Sequence, residues 1–113
     1  MVTLPALKPV AFHILASLSD EDKHGYAIMQ AIRQLSGGRI PIQTGSFYRH
    51  LGQLLATGLV VEAAVRPADD DPRRGAYYRL TPRGREALAV EAQRLSDLLK
   101  AIGPLRPSRK GSH

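Results

Sequence analysis

The sequence predicts a mainly α fold that carries a small β-hairpin and ends on a long helix. Three observations carry this. Two stretches with helical apolar spacing, around His24-Gly25-Tyr26-Ala27-Ile28-Met29 and Gly45-Ser46-Phe47-Tyr48-Arg49-His50-Leu51, follow one another across a glycine-containing break. A β-branched run and an arginine-rich turn come next, and Thr81-Pro82 then opens sustained helical periodicity. Helix, helix, hairpin and long helix, in that order, make a winged helix-turn-helix followed by a C-terminal dimerisation helix.

Each element has a local reason. Leu7, Val10, Ala11, Ile14, Leu15 and Leu18 share one face, which predicts a first helix over residues 6–17. The polar connection Ser19-Asp20-Glu21-Asp22-Lys23 separates it from a second helix over residues 25–35, whose inward stripe is read as Tyr26, Met29, Ile32 and Leu35. Ser36-Gly37-Gly38 stops that helix, because glycine readily takes the left-handed conformation. Ile40-Pro41-Ile42 is a proline-constrained extended link. The third helix is expected to be capped by Thr44 or Ser46 and to end at Thr57-Gly58, with Phe47, Leu51, Leu54 and Leu55 buried.

Residues 59–65 read as a strand, residues 67–75 as a charged turn and residues 76–80 as the returning strand. Thr81 suits an N-cap and Pro82 a first helical residue. Leu88, Ala92, Leu95, Leu99 and Ile102 then repeat at spacings of four, three, four and three, a seam suited to pairing two copies over residues 82–102. Residues 1–81 are thus read as the winged domain and 82–102 as the dimerisation helix. The segment 103–113, with two prolines and three basic residues, reads as disordered, and Gly111-Ser112-His113 is given no functional weight.

At 113 residues the chain fits one domain with a modest core, which a second copy would enlarge. Sixteen Lys and Arg against ten Asp and Glu give a formal charge of +6, which suits a polyanionic partner. With no cysteine there are no disulfides, thiolate metal sites or cysteine nucleophiles. No apolar run approaches the roughly 20 residues of a membrane span, and no secretion signal is recognisable, so a cytoplasmic location is expected.

The third helix is where this pattern acquires chemistry. A helix fits the major groove of B-DNA, with side chains near its N-terminus reaching base edges. Thr44, Ser46, Arg49, His50 and Gln53 are left off its apolar side, with Tyr48 at the edge of that face. Ser46 suits a phosphate or base edge, Tyr48 a phosphate, Arg49 guanine or phosphate and Gln53 adenine. The helix N-terminus attracts a phosphate as well. A polar helix face alone is usually just a solvated face, and the surrounding order of elements is what gives this one a ligand. On the hairpin, Arg66, Arg73, Arg74 and Arg79 suit backbone phosphates or a minor groove. Asp69, Asp70 and Asp71 oppose this, so Arg73 and Arg74 are expected to face DNA and the aspartates to point away.

His24-Gly25-Tyr26-Ala27-Ile28, Gly45-Ser46-Phe47-Tyr48-Arg49-His50-Leu51, Leu54, Gly58-Leu59-Val60 and Tyr77-Tyr78-Arg79-Leu80-Thr81-Pro82-Arg83-Gly84 together resemble the PadR-like family of bacterial transcriptional regulators, in its smaller subtype. The resemblance implies a winged helix whose C-terminal helix pairs two protomers. The dimer would bind inverted-repeat DNA operators and usually repress. It also implies that Tyr48 lies near the DNA backbone, that Ser46 and Arg49 take groove-facing positions, that Tyr77 and Tyr78 sit on the wing strand and that Thr81-Pro82 opens the dimerisation helix. Thr44 in place of a common proline and Phe47 in place of an aliphatic residue depart from the family pattern and bear on sequence preference more than on fold.

Other functions fare worse. His13, His24, His50 and His113 lack metal-ligand spacing, and His13 and His24 are read as structural. There is no phosphate-binding glycine loop after a strand and no nucleophile motif, and Asp20, Glu21 and Asp22 sit in a connection without a pocket, so neither an enzyme nor a cofactor is expected. A small-molecule inducer, as some relatives have, is compatible with the sequence, but no residue identifies it. The rival reading is a winged helix that binds another protein instead of DNA, since fold does not fix function.

Overall fold

The computed structural model describes residues 6–64 and 71–105. The order is α1 (Pro9–Ser17), β1 (Lys23–His24), α2 (Gly25–Leu35), α3 (Thr44–Ala56), β2 (Val60–Glu62), a single 3-10 turn (Pro72–Arg74), β3 (Tyr77–Leu80) and α4 (Pro82–Ile102). The strands form one antiparallel sheet in the order β1-β3-β2. Within it Lys23 pairs with Tyr78 and His24 with Tyr77, while Val60, Val61 and Glu62 face Leu80, Arg79 and Tyr78. The expected mainly helical architecture with a hairpin wing is therefore the one observed. The strand β1 was missed: two residues inside a charged connection carry no period, and only the free edge of β3 makes them a strand.

Several boundaries and faces differ from expectation, each for a physical reason. The first helix begins at Pro9 instead of residue 6, because the residue before a proline is pushed out of the helical region and Lys8 is extended (ψ 153°). In α2 the inward residues are Gly25, Ile28, Met29 and Ile32, whereas Tyr26 and Leu35 are 58% and 57% exposed. The stripe was misphased because its first member is a glycine, whose burial no hydrophobic reading detects. On α3, Phe47, Leu51 and Leu54 are buried but Leu55 is 37% exposed. Neither Thr44 nor Ser46 caps that helix: its N-cap is Gln43, and no side chain bonds the first-turn N–H groups. The strands are also shorter than read, Val60–Glu62 and Tyr77–Leu80. Val65 and Arg66, with Pro67 to Asp70, lie outside the described residues, as do residues 106–113 of the expected disordered tail.

The stops are as expected. Gly37 and Gly38 have φ of +62° and +77°, and Gly38 N–H closes the end of α2 on Arg33 O at 2.8 Å. Gly58 (φ +77°) does the same for α3, letting Leu59 N–H reach Leu54 O at 3.0 Å. One apolar core, centred on Ile14, Leu15, Ile28, Ile32, Phe47, Leu51 and Val60, joins α1, α2, α3 and the root of the wing. The first half of α4 closes it through Ala87 and Leu88.

The start of α4 is fixed by Thr81. Its hydroxyl accepts from Gly84 N–H at 2.9 Å, as an N-cap does, and donates to Gly58 O at 2.7 Å. Helix and wing approach so closely that a Cβ at Gly84 would run into the Leu59 carbonyl. Glu91 fixes the next turns: its side chain is buried and accepts from Leu7 N–H at 3.3 Å and from Arg94 at 2.8 Å, which ties α4 to the lead of α1.

Candidate nucleic-acid interface

The outer side of α3 begins with backbone. Because Gln43 offers no side-chain cap, the first N–H groups of the helix lack a side-chain acceptor, and Thr44 and Gly45 beside them are exposed. A helix N-terminus in this state carries partial positive charge and donors aimed outward. Ser46 follows, half-buried, its Oγ accepting from Arg49 Nη2 at 3.5 Å. Arg49 itself is exposed and makes no ion pair with a described residue. His50 is turned toward the helix axis, with Nδ1 2.8 Å from Ser46 O. Gln53 is exposed one turn beyond Arg49, where α3 nears α1 and the start of α4. Thr44, Ser46 and Arg49 thus share the leading end of the helix, and Gln53 belongs to its trailing end.

Tyr48 is held more firmly than an exposed side chain usually is. Its ring meets Phe47 edge-on, with centroids 4.9 Å apart. Its hydroxyl lies over the first residue of α2, where a Cβ at Gly25 would stand 2.5 Å from Oη and 3.3 Å from Cζ. Nearly half the side chain is still open to solvent (47%). Tyr78 of the wing senses the same phenol: burial first, then the charges of Tyr48 and Glu62, hold its hydroxyl above the usual tyrosine range and keep it protonated. The residue type and position that mark Tyr48 give no sign of Gly25 as its seat, since a glycine at a helix start carries no side chain for a periodic pattern to register.

The wing residues are less free than expected. Asp71 holds Arg73: its carboxylate accepts from Arg73 N–H at 3.0 Å and pairs with the guanidinium at 2.9 Å, shaping the 3-10 turn. The reason is local, since an aspartate ahead of a turn satisfies the N–H two residues on. Arg74 is exposed on the same turn. Asp69, Asp70 and Arg66 fall outside the described residues. Arg79 lies on β3 with its guanidinium forked onto Asp22 at 2.9 and 3.2 Å, 57 residues away in sequence. That pair staples the α1–α2 connection to the wing, and no spacing rule could have found it.

The expected dimer seam divides in two. Leu88 is half-buried against its own protomer's core, while Ala92 is exposed and Leu95, Leu99 and Ile102 are 40%, 69% and 48% exposed. Leu98 and Leu105 extend the open apolar stretch, at 53% and 75%. The histidines are structural where described. His13 Nδ1 lies 2.7 Å from Pro9 O, and His24 caps α2 by accepting from Ala27 N–H at 3.4 Å. Among the described residues no cluster of three or more potential metal ligands occurs, and no helix is long and apolar enough to cross a membrane.

Comparison with known proteins agrees with this architecture. The chain is 34% identical over 93 residues to transcriptional regulator Rv3488 of Mycobacterium tuberculosis, covering 82% of this chain and 81% of that protein. It is 41% identical over 85 residues to a 37.1 kDa protein in transposon TN4556 of Streptomyces fradiae, of which it spans only 22%. Among solved structures, a PadR family transcription regulator from Clostridium difficile superposes with a TM-score of 0.69 at 20% identity, over 84% of this chain and 95% of that one, a likeness of fold. Residues 14–90 match the transcriptional regulator PadR-like family as a whole. By that match over most of the chain, and by the 34% identity to Rv3488 over four fifths of each protein, the chain belongs to the PadR-like family of transcriptional regulators.

Proposed function

We propose that the protein is a sequence-specific DNA-binding regulator that acts in the cytoplasm as a homodimer on an inverted-repeat operator, as a repressor. The observation that carries this is the leading end of α3: an uncapped helix N-terminus, exposed Thr44 and Arg49, and a Tyr48 phenol braced on its inner side yet open on its outer one. Uncapped N–H groups suit a phosphate, and the side chains beside them suit base edges in a major groove. Thr44, Ser46 and Arg49 read the groove, Tyr48 meets a backbone phosphate, Gln53 extends the groove contact, and Arg73, Arg74 and Arg79 of the wing meet the flanking backbone.

Dimerisation follows from the open apolar stretch of α4. Leu95, Leu98, Leu99 and Ile102, at i, i+3, i+4 and i+7, leave an apolar stripe open on one side of the helix. Pairing two copies through Ala92, Leu95, Leu99 and Ile102, with Leu88 at the inner edge, buries it. The recognition helices then stand about one DNA turn, roughly 34 Å, apart. Release of the operator by a small-molecule effector belongs to the same reading.

Footprinting on the DNA upstream of the protein's own gene tests the proposal. Two protected half-sites, related by a two-fold axis and centred about 10 base pairs apart, are the expected result. A single unpaired footprint, or uniform coating of any duplex, contradicts it. The pairing of Arg73 with Asp71 and of Arg79 with Asp22 is what a protein-binding winged helix would also show. Salt separates the two readings, since counterion release makes DNA binding fall steeply with ionic strength and an apolar contact does not.

A further inference from the structure

A cavity of about 260 Å³ opens where α1, the trailing end of α3 and the first turn of α4 meet. Its walls are aliphatic, formed by Leu7, Ala11, Leu54 and Leu59. Lys8 and Arg83 stand at it from opposite elements, and no acidic side chain lines it. Neither cation makes a side-chain ion pair or hydrogen bond with any described residue, in contrast to Arg73, Arg79 and Arg94. No phenylalanine, tyrosine or tryptophan contributes to the lining, and its one ring is the half-buried His50 imidazole, whose Nδ1 lies 2.8 Å from Ser46 O. The volume lies just under the roughly 300 Å³ at which pockets for drug-sized molecules begin, which sets the ligand's size.

We propose that this cavity binds a short aliphatic carboxylate, with its chain among the leucines and its carboxylate between Lys8 and Arg83. Charge-assisted hydrogen bonds from two cations on different elements would hold the anionic head, and burial of each methylene would add roughly four-fold in affinity. The position gives the site its consequence. Gln53 and Thr57 bring α3 to the cavity, Lys8 brings the lead of α1 and Arg83 the root of α4. A ligand bridging Lys8 and Arg83 therefore bears on how the recognition helix is set against the dimerisation helix. It alters DNA affinity by as much as its own affinity differs between the two settings. As an effector site it rests on the regulator reading above; as a binding site it does not.

Calorimetric titration of the full chain with hexanoate, octanoate and octan-1-ol, without DNA, tests the site. Octanoate should bind about 15-fold more tightly than hexanoate, the effect of two buried methylenes, and at least about 10-fold more tightly than octan-1-ol. The double variant Lys8→Gln, Arg83→Gln should lose the preference for carboxylate over alcohol and keep the chain-length step. Absence of octanoate binding overturns the proposal, as does equal affinity for the alcohol or an unchanged preference in the variant. Repeating an operator titration with saturating octanoate then tests the effector role: a change of about five-fold or more supports it, and an unchanged affinity removes it. A protein that binds no DNA under any condition defeats the regulator reading, while the calorimetry still decides the site.

Discussion

Arg49 and Tyr48 sit one residue apart on α3 and are presented in different ways. Among the described residues Arg49 hydrogen-bonds only Ser46 Oγ, at 3.5 Å, and it stays available to a base or phosphate. Arg49→Ala should cost about 1–3 kcal/mol of operator binding while leaving the dimer intact, as an anisotropy titration beside sedimentation would show. Tyr48 is set by its neighbours, and Gly25 is the decisive one. Gly25→Ala should not unfold α2, because alanine is the better helix former by about 1 kcal/mol. The added methyl instead displaces the phenol, so DNA affinity should fall several-fold. In a Tyr48→Phe background, where the hydroxyl is gone and only the 3.3 Å contact with Cζ remains, the same substitution should cost little further. An additive loss in the double variant would show that Gly25 acts elsewhere. The sequence made Arg49 and Tyr48 legible, since their residue types and place on the helix suffice. It hid Gly25, Asp22 and Asp71, because each acts through a contact that only the fold brings about, or through a turn that periodicity does not describe.

Among the elements, α3 and α4 were legible nearly to the residue, and α2 was legible in extent but not in face. The difference lies in what marks them. Thr81-Pro82, Gly58 and Gly37-Gly38 are punctuation that works locally, so helix ends were readable. The inward face of α2 depends on a buried glycine and on the position of Tyr48, which are tertiary facts. The two-residue β1 exists only because β3 lies beside it. The root of α4 is fixed just as closely by backbone approach at Gly84. Gly84→Ala should cost about 1–3 kcal/mol of stability, since its methyl meets the Leu59 carbonyl, and a flexible side chain cannot relieve a clash with backbone. Thermal unfolding checks this, and an unchanged midpoint would mean that α4 sits further from the wing. Further along the same helix, Leu95 is partly exposed in the protomer, so Leu95→Asp should leave the fold intact, yield monomers and abolish operator binding. A stable, DNA-competent dimer of that variant would place the interface elsewhere.

For the whole molecule, the charge of +6 and the arrangement of one uncapped helix end beside a basic wing point to the same polyanion. Carboxylates hold two wing arginines in the free protein, so on the proposed reading the charge DNA would meet first comes from α3, and the wing would contribute once it exchanged its aspartate partners for phosphates. The measurement that tests the central claim most directly is a titration of the protein with the duplex upstream of its own gene. It should run beside a scrambled duplex, at two salt concentrations. Tight binding that survives scrambled competitor, and whose affinity falls by an order of magnitude or more between 50 and 200 mM salt, is the predicted result. A well-folded dimer that binds both duplexes alike, or neither, would contradict it.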